Sequence, residues 1–102
     1  MSENNDMALV KLAKAFSCIH SEEESIKFLT DILSIKEIKE ISQRLEVAKM
    51  LKSGMVYTEI STKTGASTAT ISRVNRALNY GEGGYEIILS RLSEDKDRKS
   101  VV

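Results

Sequence analysis

A chain of 102 residues, 41% apolar and 29% charged, has the balance of one folded domain and not of a disordered segment. Its one cysteine, Cys18, excludes an intramolecular disulfide, no apolar run nears the roughly 20 residues that span a bilayer, and the polar acidic start is unlike a secretory signal, so the expected compartment is the cytoplasm with no membrane contact. Net charge is zero but unevenly spread: residues 1–33 carry three lysines against six acids, residues 34–80 eight cations against four acids, and residues 81–102 four against five, so a basic middle is available to an anionic partner.

Proline is absent, so helices can run almost anywhere, and no stretch alternates with the period of a strand. An all-α fold follows. The first helix is expected at about Asp6–Cys18, with Leu9, Val10, Leu12, Ala13 and Phe16 on one broad stripe. Ser21 with Glu24 reads as a capping box that opens a second helix through Ile26, Phe28, Leu29, Ile32 and Leu33. Ser34 with Glu37 is another, opening a third helix that runs to about Lys52 and closes at Gly54. At about 100° per residue, Ile38, Ile41, Leu45 and Ala48 share a face of that helix, and Val47, Met50 and Leu51 lie on other sides. Such a helix is buried on several sides, as at the centre of a dimer or of a monomeric bundle.

Arg44 falls in the same apolar sector. Either its charge is buried and needs a partner or ligand, or its stem packs while its head reaches solvent or Glu40. Two short helices follow, about Tyr57–Thr64 and Thr68–Leu78, joined by Gly65-Ala66-Ser67. The segment 81–84, Gly-Glu-Gly-Gly, is a break before a last helix at about Tyr85–Ser93, striped by Tyr85, Ile88, Leu89 and Leu92. The expected domain is therefore 1–93, with 94–102 as a disordered, charged tail.

The stretch 57–78 has the spacing of a helix-turn-helix. Ile60 is apolar because it faces the second helix, and Ser61 is small because the two helices cross there. Gly65 supplies a positive φ for the tight turn, Ser67 caps the second helix, and Ile71 and Val74 anchor it to the core. Ser67, Thr68, Ala69, Ser72, Arg73 and Arg76 are left pointing outward. These small, hydroxylic and cationic side chains suit a nucleic-acid groove and its phosphates, and Lys63 adds the one cation of the first motif helix. A helical hairpin used only for packing or protein contact has the same skeleton.

From about Leu9 to Leu92 the chain resembles the Trp repressor superfamily, through Gly65-Ala-Ser-Thr-Ala-Thr-Ile-Ser-Arg73, the short acidic cap before Phe28-Leu29, and Leu33-Ser34. The closer similarity is to the YerC/YecD branch, through Arg44-Leu-Glu46, the segment Gly65–Arg76 and Gly81-Glu-Gly-Gly-Tyr85. The resemblance implies six helices, an intertwined homodimer, and DNA contact by Ser67, Thr68, Ala69, Thr70 and Ser72. It also implies an effector pocket lined by Leu33, Ser34, Arg44 and Arg73. The family has glycine after the pocket arginine where this chain has Val74, whose methyl groups fill space an indole needs, so tryptophan is not the expected ligand and no cofactor is assigned.

Catalysis has little support. His20 reads as a solvated loop residue, Cys18 lacks a cation cluster, Tyr57 and Tyr85 read as packing residues, and no metal-ligand spacing or phosphate loop appears. The expected function is a bacterial, nucleoid-associated, sequence-specific DNA-binding regulator acting as a homodimer, most simply a repressor and not an enzyme. A protein-interaction module on the same fold and a sensor of a ligand other than tryptophan stay open as alternatives.

Overall fold

The computed structural model describes the backbone of residues 3–101 and the side chains of residues 6–94. Six helices follow in order: α1 Glu3–Ser17, α2 Glu22–Ile32, α3 Ile35–Lys52, α4 Tyr57–Thr64, α5 Thr68–Tyr80 and α6 Gly84–Val101. No strand occurs among the described residues, as the missing period-two alternation implies. The chain divides into two compact units, residues 1–38 and residues 39–102.

The N-terminal unit holds α1, α2 and the start of α3. Ser21 caps α2 by accepting from the Glu24 N–H at 3.1 Å, and the Glu24 carboxylate accepts from the His20 N–H at 2.9 Å. The carboxylate thus reaches one residue further back than a standard capping box predicts. The box at α3 closes on itself: Glu37 N–H donates to Ser34 Oγ at 3.1 Å and Ser34 N–H donates to the Glu37 carboxylate at 2.9 Å. The Ser34 backbone N–H, and after it the Ser34 hydroxyl, hold the Glu37 carboxyl below its ordinary range, because bonds to the carboxylate favour the charged form. The unit's two phenylalanines, Phe16 and Phe28, meet edge to face with centroids 5.3 Å apart. None of the described side chains of this unit is buried in the single chain; Leu9, Val10, Leu12, Phe16, Ile26 and Ile32 are all exposed.

The C-terminal unit has a core of its own. Val47, Ala48, Ile60, Ala66, Ile71, Val74 and Leu89 are buried, with Leu45, Met50, Leu51, Met55, Tyr57, Leu78 and Tyr85 packed against them. Helix α4 packs on α5, and α5 on α6. Tyr57 and Tyr85 are packing residues, as the sequence predicts. The second half of α3 is apolar on several sides and meets this core at Val47 and Ala48, whereas Ile38 and Ile41 stay 38% and 49% exposed. Arg44 is exposed in the single chain.

Three expected boundaries move. Helix α1 begins at Glu3, three residues before Asp6. Helix α5 runs to Tyr80 before Gly81 caps it, two residues beyond Leu78. Helix α6 begins at Gly84 and continues to Val101, past the end expected at Ser93. No glycine or proline follows Gly84, and residues 94–99 are charged residues that a helix accepts, so nothing local stops it. The side chains of 95–102 lie outside the described residues.

Candidate nucleic-acid interface

Helices α4 and α5 are held by a turn whose polar groups are nearly all used. Gly65 caps α4 at φ 74°, the left-handed region that favours glycine, and its N–H donates to Ser61 O. Thr64 Oγ1 donates to Ile60 O at 2.7 Å and accepts from Ala66 N–H at 3.1 Å. Ser61 Oγ donates to Ala66 O at 2.8 Å. Ser61 is therefore more than a small residue at a crossing: its hydroxyl ties α4 to the residue before the α5 cap. Gln43 on α3 donates to Thr64 O at 3.1 Å and fastens the turn to the body of the unit. Ala66 is buried. Sequence reasoning assigned Ala66 and Gln43 no role, since a turn alanine and a polar helix residue carry no periodic signal.

Helix α5 is oriented by its buried side. Ile71 and Val74 are sealed in the core, which turns Ser72, Arg73, Ala69 and Arg76 to the opposite side at about 100° per residue. Ser67, Thr68, Ala69, Ser72, Arg73, Arg76 and Lys63 are all exposed, and Thr70 is half-buried. Ser67 is the N-cap: its Oγ accepts from Thr70 N–H at 3.1 Å and donates to Thr70 Oγ1 at 3.1 Å. No acid lies in the first turn of α5. The result is a capped helix end beside hydroxyls, a methyl group and cations, an arrangement that accepts an anionic, hydrogen-bonding surface.

The residues of the expected effector pocket lie in both units. Leu33, half-buried, is the C-cap of α2 and Ser34 the exposed residue before α3. Arg44 on α3 and Arg73 on α5 are both exposed. Val74 is only 2% exposed. Cys18 and His20 are exposed, and no group of His, Cys, Asp or Glu side chains able to hold a metal occurs among the described residues. No helix among them is long and apolar enough to cross a membrane.

A short helix, a glycine turn in the left-handed region and a second helix seated by its buried side make a helix-turn-helix, here on an all-helical body. The model of the Trp repressor protein family matches residues 7–93. The uncharacterised protein YerC of Bacillus subtilis is 53% identical over 78 residues, covering 76% of this chain and 75% of that protein. Two crystal structures share the fold. One is a protein from Staphylococcus aureus, provisionally assigned as a Trp repressor, at 41% identity and TM-score 0.79, with 91% of this chain and 96% of that one covered. The other is a TrpR-like protein from Eubacterium eligens, at 48% identity and TM-score 0.78, with 85% and 90% covered. The chain belongs to the Trp repressor family, a family of regulators.

Proposed function

We propose that this chain is a sequence-specific transcriptional regulator, a repressor, that binds duplex DNA as a homodimer in the cytoplasm at the nucleoid and catalyses nothing. The observation that carries the reading is the two-sidedness of α5. Its Ile71 and Val74 are sealed in the core while Thr68, Ala69, Ser72, Arg73 and Arg76 are open to solvent. A protein-interaction face would be apolar where this one is polar and cationic.

Two copies related by a twofold axis would set two α5 helices in successive major grooves, about 34 Å apart, on a near-palindromic site. A second copy also suits the apolar side chains that the N-terminal unit leaves uncovered. Each is worth roughly 1.5–3 kcal/mol once removed from water. Arg44 and Arg73 are candidate effector contacts in this proposal, as are Leu33 and Ser34 within their own unit. The ligand is not tryptophan, because the Val74 methyl groups are already packed against protein.

Retention on duplex DNA across a salt series tests the proposal. Lys63, Arg73 and Arg76 give three exposed cations per copy, six per dimer, so the logarithm of affinity should fall against the logarithm of salt with a slope of about −5. Arg73→Ala and Arg76→Ala should each make that slope shallower by about 2. Binding without a salt slope, or no binding, would assign the fold to protein contact instead.

A further inference from the structure

We infer that the hydroxyls of the α5 N-terminus are divided in two: Ser67 and Thr70 position the helix, whereas Thr68 and Ser72 read base edges. The inference rests on the DNA-binding reading above and assigns roles within that surface.

Ser67 and Thr70 are occupied with each other. Ser67 Oγ accepts the Thr70 N–H and donates to Thr70 Oγ1, both at 3.1 Å. The first bond satisfies a backbone donor that a helix N-terminus otherwise leaves open. The second spends the Ser67 proton on its neighbour and fixes the Thr70 side chain. Thr70 is half-buried, on the flank of α5 that turns toward the core. A base arriving at this pair finds the Ser67 proton already spent, and the one proton Thr70 can still donate is held on the core-side flank of the helix.

Thr68 and Ser72 differ on each count. Both are exposed, and among the described residues neither hydroxyl has a hydrogen bond within the chain. They stand four residues apart, hence one above the other on one face, with Ala69 and Arg76 beside them. A free hydroxyl both donates and accepts, so each can meet a purine N7 or O6, a cytosine amino group or a thymine O4. The Thr68 and Ala69 methyl groups add contact to thymine C5-methyl. Two hydroxyls one turn apart would read neighbouring base pairs in each half-site.

Selection of bound duplexes from a random pool tests the division. The unmodified protein should enrich a site with twofold symmetry. Thr68→Val and Ser72→Ala should each flatten the preference at one base pair per half-site, by roughly five- to tenfold, while the other positions and the thermal midpoint hold. Ser67→Ala and Thr70→Val should weaken binding to all sequences alike, by a few fold, with the enriched site and the salt slope unchanged. Ser67→Thr, which keeps a capping hydroxyl, should restore binding. A site left intact by Thr68→Val and Ser72→Ala, or base preferences moved by Thr70→Val, would overturn the division while leaving DNA binding standing. An unmodified protein that enriches no sequence would overturn both.

Discussion

Gly65 and Gly81 close the two motif helices for different physical reasons. Gly65 sits at φ 74° with open space where a Cβ would stand. Its replacement by alanine therefore costs only backbone strain, about 1 kcal/mol, and Gly65→Asn should cost less because asparagine tolerates the left-handed region. Gly81 has an ordinary φ of −87°, yet a Cβ there would lie 2.4 Å from the Ala77 carbonyl oxygen. Backbone cannot swing aside as a flexible side chain does, so the end of α5 must shift. Gly81→Ala should cost roughly 2 kcal/mol, more than Gly65→Ala; urea denaturation of the two variants gives the order. The turn glycine was legible from its place between two helical patterns. The close approach at Gly81 was not, because it depends on the distance to a carbonyl four residues back. Val74→Gly should be worse than either, at roughly 3 kcal/mol, since it empties part of the core and puts glycine inside a helix.

At the scale of the element, punctuation decides what a sequence reveals. Helix α4 has the expected bounds, Tyr57–Thr64, because a left-handed glycine stops it. The starts of α2, α3 and α5 fall where Ser21, Ser34 and Ser67 supply a capping oxygen. The end of α6 carries no such signal, and there the expected limit misses. The outward side of α5 was legible from the spacing of Ile71 and Val74. The Ser67–Thr70 bond that divides it was not, since it depends on side-chain rotamers. Glu37 gives the capping box at α3 a pH dependence. Its carboxyl is held below the ordinary range of about 4.3, so the folded state binds the proton less readily than the unfolded chain. The stabilisation is therefore present above that range and fades as pH falls through the depressed value. Glu37→Gln should remove this part of the acid dependence while keeping most of the cap; thermal midpoints of both proteins between about pH 2 and 6 give the comparison.

At the scale of the whole molecule, burial among the described residues is confined to residues 47–89. The C-terminal unit is furnished with a core, whereas the described residues of the N-terminal unit form none in the single chain. A segment of that size does not hold itself folded without another surface. If the second copy supplies it, the thermal midpoint should rise with protein concentration. Leu12→Glu, at an exposed apolar position of α1, should yield monomers by sedimentation and abolish that dependence. The coreless half is also the half the ribosome releases first. Helices α1 and α2 emerge with no mate to fold against, and the portion able to shut on itself follows them. If a second copy is that missing surface, maturation of the newborn chain ends in a meeting of two chains, and renaturation from denaturant should contain a late phase whose rate scales with concentration.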